Sequence, residues 1–199
     1  MAVEELQYTL IEQFDDIEIR QYAPYIVAET TVSGGFDRVG NVAFRRLAGY
    51  IFGKNRRRRT STPAATVGAD AEKIAMTAPV LQKPDEGKIA MTAPVTQTGG
   101  GNSWEVAFAM PSSYSMETLP EPLDADIRLE QRPAQLMAAL IYSGSWRKSS
   151  FDKKRKELEQ QIVNHGYVAI GPAMFARYNP PYTLWFKRRN EVLIPVVRA

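Results

Sequence analysis

Two stretches of the chain repeat one another, and this internal duplication restricts the fold more than any other feature of the sequence. Residues 17–34 read IEIRQYAPYIVAETTVSG and residues 127–144 read IRLEQRPAQLMAALIYSG, and the two align without a gap. Each stretch begins with alternating apolar residues, breaks at a proline (Pro24 or Pro133) and resumes as a run rich in β-forming residues. This pattern predicts strand, turn and strand in each copy. Two structurally equivalent halves are therefore expected.

A predicted helix follows each copy of the repeat. Residues 36–52 carry apolar side chains at the spacing of a helix, and residues 149–164 do the same. The expected N-cap of the second helix is Ser149 or Ser150, because a hydroxyl can accept a hydrogen bond from a free N–H of the first turn.

The ends of the two halves also match. Gly53 and Gly166 directly follow the predicted helices, where a glycine often occupies the C′ position. Further strands are predicted at residues 104–110 (WEVAFAM) and 190–196 (NEVLIPV). The shared order of elements predicts that residues 1–199 form one α+β domain.

A shorter repeat lies between the halves. The octapeptide KIAMTAPV occurs at residues 73–80 and again, unchanged, at residues 88–95. The linking LQKPDEG ends in turn-forming residues, so the two copies are expected to form a hairpin. Pro79 and Pro94 restrict those positions to a strand end, a sheet edge or a bulge.

Charge and composition exclude several classes of protein. The net charge is +3, but Lys54 and residues 56–59 supply five positive charges, and the rest of the chain carries a net charge of −2. Such a distribution argues against a DNA-binding protein. The segment of about residues 54–72 is expected to be a flexible loop, since its Ser-, Thr-, Ala- and Pro-rich part has few residues to bury. Its basic run is expected to be solvated, with RNA or anionic lipid as the alternative partner.

The sequence contains no cysteine, which excludes disulfides and thiolate-bound zinc. The N-terminal residues do not form a secretory signal, and no apolar run is long enough to span a bilayer. We therefore expect a cytoplasmic protein without a transmembrane segment, and a monomer is favoured.

The octapeptide and the segment RYNPPYTLWFKRRNEVLIPV at residues 177–196 together resemble the SOUL family of haem-binding proteins. The resemblance extends from about Leu6 to Val197. It implies an α+β fold in which two duplicated βαββ halves, related by a pseudo-twofold axis, form a distorted antiparallel barrel flanked by two helices. It also implies a shallow apolar groove for haem beside the first helix, near the Asn-Pro-Pro loop. The same architecture resembles the effector-binding domains of bacterial drug-responsive regulators, so the fold alone does not choose the ligand.

One wall of the expected groove lies on the first helix. Opposite its apolar stripe stand residues that are aromatic, small or basic: Asn41, Phe44, Arg45, Ala48 and Phe52. A solvated helix face would normally be polar and charged. Arg45 could form a bidentate pair with a propionate. The alternative is that the two phenylalanines pack beneath a loop.

The second wall is expected from the loop at residues 177–189, with Arg177, Tyr182, Thr183 and Trp185 as candidate ligand-binding residues. Aromatic rings beside cations suit a porphyrin or another aromatic acid. Tyr178 and Phe186 are expected to fill the core instead.

No residue is assigned as a ligand to iron. His165 is the only histidine and stands at the expected C-terminus of the second helix, where it more often interacts with the helix dipole. Met76 and Met91, at equivalent places in the octapeptides, are expected in the core.

The sequence therefore predicts a protein that binds haem, or a related tetrapyrrole, as a carrier, buffer or sensor. An effector-binding module for other amphipathic aromatic ligands is the alternative. Enzyme motifs such as GxSxG, a P-loop and HExxH are absent from the sequence, and the acids Glu18, Glu29 and Glu130 do not mark a catalytic pair. A porphyrin-modifying enzyme that removes iron stays open.

Overall fold

Strands form most of the regular secondary structure, as the duplicated pattern predicts. The computed structural model describes residues 4–57, 71–85, 102–179 and 182–199. The strands are β1 (Glu4–Glu5), β2 (Tyr8–Phe14), β3 (Ile17–Tyr22), β4 (Tyr25–Ser33), β5 (Asn55–Arg56), β6 (Thr77–Ala78), β7 (Val80–Pro84), β8 (Ser103–Ala109), β9 (Glu121–Pro122), β10 (Arg128–Arg132), β11 (Gln135–Tyr142), β12 (Tyr167–Ala169), β13 (Met174–Arg177) and β14 (Asn190–Arg198). The helices are α1 (Phe36–Ile51) and α2 (Lys148–Asn164), and a single 3₁₀ turn covers Trp185–Lys187.

One curled antiparallel sheet contains most of these strands. Its order is β10-β4-β8-β7-β13-β14-β11-β3-β2, and β12 pairs with β14. The order is symmetric about the contact between β7 and β13, because β4 and β8 on one side correspond to β11 and β14 on the other. The predicted α+β fold with a distorted barrel and two flanking helices is confirmed.

The duplicated stretches pair with each other. Arg128 lies opposite Glu29 and Arg132 opposite Tyr25, and the same register continues on the other side of both prolines, where Gln135 lies opposite Tyr22. The two stretches therefore form one long antiparallel ladder that bends at Pro24 and Pro133. This bend lets each stretch contribute to both ends of the sheet, so the sheet curls.

Both helices cover the same side of the sheet. The buried residues of α1, such as Leu47, pack with Val106 and Phe108, and those of α2, such as Leu158, pack with Val192. The opposite side, which we call the inner face, contains a third apolar cluster with small side chains, including Ala107, Ala139 and Ala176. Charged groups flank that cluster.

The helix ends confirm one expectation and correct another. Gly53 and Gly166 follow the C-caps of the two helices and have φ angles of 119° and 75°, a region that favours glycine. The N-cap of α2, however, is Arg147 and neither Ser149 nor Ser150. A side chain from α1 instead accepts a hydrogen bond from a free backbone N–H of the first turn of α2, because Lys148 N–H donates to Asp37 Oδ1 at 3.1 Å.

The first octapeptide copy supplies β6 and the first residue of β7. The expected hairpin between the two copies is wrong for this strand, because β7 pairs with β8 on one side and β13 on the other. The second copy lies outside the described residues. It belongs to the connection between β7 and β8, whose ends are joined by a hydrogen bond from Asp85 N to Ser103 O.

The segment expected to be a loop, about residues 54–72, is described only at its ends. Asn55 and Arg56 form a strand against β9, and the buried Asn55 side chain donates to Tyr50 O and Glu72 O at 2.7 Å each. Residues 58–70 lie outside the described residues. Arg57 pairs with Glu72.

Candidate ligand-binding site

The predicted wall on α1 is only partly exposed. Asn41 and Arg45 face solvent, and Phe52, the C-cap residue, is 61% exposed. Ala48 is buried, and the Phe44 ring packs edge-on against Phe108 with a centroid distance of 5.3 Å. Phe44 therefore packs partly against the core, on strand β8 and not beneath a loop.

The loop wall presents its aromatic rings to solvent. Tyr182 is 86% exposed and Trp185 62% exposed. The prediction that Phe186 fills the core is wrong, because this ring is 52% exposed and packs edge-on against Trp185. Tyr178 does pack against the core, and its hydroxyl donates to Glu191 Oε2 at 2.7 Å.

Arg177 lies between the two helices and the loop. Its Nη1 sits 2.8 Å from the place that a Cβ on Gly40 would occupy, so the missing side chain of Gly40 makes room for the guanidinium against α1. Nη2 donates to Gln82 Oε1 at 3.0 Å, and the guanidinium stacks over the Phe175 ring at 4.8 Å. Burial lowers the pKa of Arg177 to about 10.

Three buried side-chain polar atoms have no hydrogen-bond partner among the described residues. They are the Arg177 Nε, the hydroxyl of Tyr142 and the Trp104 Nε1. A buried donor without a partner is unfavourable, and such groups often mark a place where a ligand or water completes the site. The Arg177 Nε–H is one such donor, and an acidic group that reached it would satisfy it.

Trp146 connects Arg177 to the loop, and the sequence analysis missed this residue. The Arg177 guanidinium lies 5.2 Å from the Trp146 ring centroid, and the Arg188 guanidinium lies 4.1 Å from it. The Arg188 Nε in turn donates to Thr183 O at 2.8 Å. The only sequence signal was the position of the tryptophan, two residues after the second repeat.

The structure thus brings some of the predicted residues together and leaves one at a distance. Arg177 and Thr183 are joined through Trp146 and Arg188, and Arg177 contacts α1 at Gly40, next to Asn41. Phe52 lies twelve positions further along the chain, about 18 Å from Gly40 by the rise of a helix. The stronger candidate site is therefore at the N-terminal half of α1.

His165 occupies the predicted place at the end of α2. It is the C-cap residue, and its exposed ring stacks on Phe14 with a centroid distance of 3.7 Å. The other end of α2 contacts Asp37 of α1, so His165 is about 25 Å from that contact. The described part of the chain holds no group of three His, Asp or Glu side chains that could bind a metal ion.

The inner face of the sheet carries two buried carboxylates with different electrostatics. At one end, the Arg20 Nη1 donates to Glu191 Oε2 at 2.7 Å and the Arg189 Nη2 to Glu191 Oε1 at 2.8 Å. Burial by itself would raise the pKa of Glu191, but the hydrogen bond and charge of Arg20, with the bonds from Tyr178 and Arg189, lower it below its ordinary value.

At the other end, Glu29 shares its cation with another carboxylate. The Arg132 Nη2 lies 2.6 Å from Glu29 Oε2 and 2.8 Å from Glu105 Oε1. Burial, and then the negative charge of Glu105, raise the pKa of Glu29 to about 7. A cavity of about 500 Å³ borders this cluster.

None of the helices in the described ranges is both long and apolar enough to cross a membrane.

Comparisons with solved structures show the same architecture. The EcmrR C-terminal domain superposes with a TM-score of 0.62 at 13% identity, over 96% of this chain and 99% of that chain. An uncharacterised conserved protein from Listeria innocua superposes with a TM-score of 0.60 at 12% identity, over 92% of each chain. A hydrolase from Listeria innocua does so with a TM-score of 0.57 at 11% identity, also over 92% of each chain. At these identities the likeness concerns the fold alone.

A comparison with curated proteins gave no match. The family model described as SOUL heme-binding protein matches residues 3–195, nearly the whole chain. This match agrees with the octapeptide, the Asn-Pro-Pro segment and the duplicated α+β fold. The chain belongs to the SOUL haem-binding protein family.

Proposed function

We propose that this protein binds haem or a related tetrapyrrole between the N-terminal half of α1 and the loop at residues 177–189, and that it acts as a carrier or buffer. One observation carries the proposal: the buried Arg177, with its Nε unpartnered among the described residues, lies next to a loop that exposes Tyr182 and Trp185. A flat apolar ring system with acidic groups needs both features.

The aromatic side chains offer a surface for the ring. Trp185 and Tyr182 keep most of their area exposed, and covering it with an aromatic ligand would remove this area from water. The 3₁₀ turn holds the segment in place through a hydrogen bond from Lys187 N to Leu184 O at 2.9 Å. A surface that is already ordered loses little entropy when a ligand binds.

Cations offer partners for carboxylates. The guanidinium groups of Arg177 and Arg188 lie 5.2 Å and 4.1 Å from the Trp146 ring centroid, and Arg45 is exposed on α1 without an ion-pair partner among the described residues. A guanidinium binds a carboxylate through paired hydrogen bonds. These residues fit the propionate edge of haem, whose iron would supply redox chemistry and a visible absorption band.

The proposal is tested by titrating the apoprotein with haemin and with iron-free protoporphyrin while following the Soret band. We expect saturable binding of both, because the residues that support binding contact the ring and its acidic groups. Trp185→Ala should weaken binding about tenfold, since an aromatic contact and its buried area are lost.

Two control variants keep this test specific. Val168→Ala removes an exposed apolar side chain on β12 and should leave haemin affinity unchanged. His165→Ala should also leave the Soret shift intact, because His165 lies at the far end of α2. Haemin binding that is equal in wild type and Trp185→Ala, or that is lost only in His165→Ala, would contradict the proposed site.

The cavity beside Glu29 favours a second candidate function, an effector-binding module for other amphipathic aromatic molecules. Its lining combines buried carboxylates with cations and so could select ligands by charge. A fluorescence screen of porphyrins, bile pigments and cationic dyes separates the two functions. Preference for the dyes, with no saturable porphyrin binding, would favour the effector module.

A further inference from the structure

We propose that the tip of the loop, formed by Tyr182, Leu184, Trp185 and Phe186, docks on the surface of an anionic lipid bilayer. This inference goes beyond ligand binding and does not depend on it, because it rests on the exposure, rigidity and charge of the loop itself. We call these four residues the aromatic tip.

The aromatic tip exposes more apolar surface than a solvated loop requires. Leu184 is 56% exposed, Trp185 62% and Phe186 52%, and Tyr182 is still more open at 86%. Single exposed apolar residues are common on soluble proteins, but a contiguous group usually marks a binding surface. Tryptophan and tyrosine favour the bilayer interface, where the ring is buried and its polar atom stays wet.

The tip is held in a fixed shape. Trp185 and Phe186 pack edge-on with a centroid distance of 5.7 Å. Behind them, Lys187 N donates to Leu184 O, and the Arg188 Nε donates to Thr183 O. Because Arg188 also stacks on Trp146, the turn is fastened to the body of the protein. Insertion of such a tip costs little ordering entropy.

The charge around the tip selects the kind of partner. Residues 177–189 contain four arginine or lysine residues and no aspartate or glutamate. Lys187 adjoins the tip, is exposed, and forms no ion pair within the described ranges. A rigid apolar tip beside an unpaired cation is complementary to an interface with anionic headgroups.

The chain offers a matched control for the apolar contribution. Val168 and Ile170, on and just after β12, are exposed to a similar degree, at 48% and 53%, but are aliphatic. Leu184 and Phe186 are outside the set of predicted haem-binding residues. The pair of variants Leu184→Ser/Phe186→Ser and Val168→Ser/Ile170→Ser therefore separates the tip from other exposed apolar surface.

The experiment is co-sedimentation of the apoprotein with phosphatidylcholine vesicles that contain either no phosphatidylglycerol or about a third of it. We expect binding to the anionic vesicles that weakens when sodium chloride is raised, and little binding to the neutral ones. Leu184→Ser/Phe186→Ser should lose at least tenfold in partitioning, and Lys187→Gln about fivefold. Val168→Ser/Ile170→Ser should bind like the wild type.

A spectroscopic readout locates the contact. The tryptophan emission of the wild type minus that of Trp185→Phe isolates the Trp185 signal, which should shift to shorter wavelength and be quenched by brominated lipid. The proposal is overturned if anionic vesicles do not bind, if neutral vesicles bind equally well, or if the Val168→Ser/Ile170→Ser control loses as much. A tip that instead drives self-association, seen as a change of mass in sedimentation velocity without vesicle binding, would assign it to a second copy of the chain.

The two proposals fail separately. The vesicle assay contains no haem and the haemin titration contains no lipid. Loss of vesicle binding in Leu184→Ser/Phe186→Ser with unchanged haemin affinity supports a docking role for the tip, whereas absent haemin binding with intact vesicle binding removes only the proposed ligand.

Discussion

Glu191 and Glu105 occupy the same place in the two halves of the molecule, yet their surroundings have diverged. Each is the second residue of its strand motif, NEV in β14 and WEV in β8, and each lies on the inner face of the sheet. Glu191 is fully buried between two arginines, with Tyr178 as a third donor. Glu105 shares one arginine with Glu29 and also contacts Lys83.

The difference teaches that burial alone does not decide the charge state of a carboxylate. Burial by itself would raise the pKa of both Glu191 and Glu29, but the neighbouring charges, negative as well as positive, then determine the outcome. Glu191 has two guanidinium partners and stays ionised. Glu29 faces another carboxylate across Arg132, and its pKa rises to about 7. Glu105 and Glu191 are equivalent through the duplication, whereas Glu29 has no counterpart, because Ala139 stands at the equivalent place in the second repeat.

The largest expected loss of stability comes from removing Arg20, a cation that pairs with Glu191. Arg20 has no exposed surface, and Arg20→Met should cost about 3–5 kcal/mol of unfolding free energy, because Glu191 keeps its burial but loses its bidentate partner. Urea denaturation measures the loss. Arg128→Met removes a mostly exposed partner of Glu29 and should cost less than about 1 kcal/mol. Equal losses of unfolding free energy in the two variants would show that burial does not determine how much an ion pair contributes to stability.

The free energy of unfolding, measured as a function of pH, tests the contrast between Glu29 and Glu191. The pKa of Glu29 is about 7 in the folded protein, against an ordinary value of 4.5. The folded state therefore keeps a proton that the unfolded chain has lost, and this stabilisation is complete below about pH 4.5 and disappears as the pH rises through 7. Between pH 5 and 8 the protein should lose roughly 1–3 kcal/mol. Glu191 acts in the opposite direction, since its lowered pKa stabilises the fold above 4.5 and the effect is lost as the pH falls.

Glu29→Gln is the variant that isolates this effect. A glutamine has no proton to release, so the decline between pH 5 and 8 should be largely absent when unfolding is measured across that range. A decline as steep as in the wild type would place the titrating group elsewhere. Circular dichroism at each pH checks that the variant keeps its fold.

The smallest effect concerns two equivalent glycines at the ends of the repeats. Gly34 and Gly144 have φ angles of 138° and 141°, which side chains rarely adopt. Either change to alanine should cost about 1–2 kcal/mol through backbone strain. The two variants should lose similar amounts, because a Cβ on Gly34 would make an ordinary contact, 3.4 Å from Val39 Cγ1, and a Cβ on Gly144 would meet no atom of the described residues within 4 Å. Thermal unfolding of both variants measures the loss relative to the wild type, and a harmless Gly144→Ala would mean that the strain argument is wrong.

Local patterns in the sequence determined much of this protein. The duplicated strand, turn and strand, the two helices and their glycine C-caps follow from periodicity and from the conformational freedom of glycine, which depend on residues close in the chain. The exposed aromatic residues of the loop were also recognised from the sequence, although Phe186 was placed wrongly, because periodicity does not reveal which side of a short turn faces solvent. The octapeptide repeat likewise did not reveal that β7 pairs with β8 and β13, since an identical repeat does not identify the strands that lie on either side of it.

Only the tertiary structure decided the electrostatics of the site. Arg177 meets Gly40, and Trp146 meets Arg188, across more than forty residues of sequence in each case, so local spacing gave no sign of either contact. Local spacing also gave no sign of the cap that Asp37 provides to α2 or of the raised pKa of Glu29. A pKa depends on burial and on every charge within a few ångströms, and these neighbours exist only after distant strands and helices have packed together.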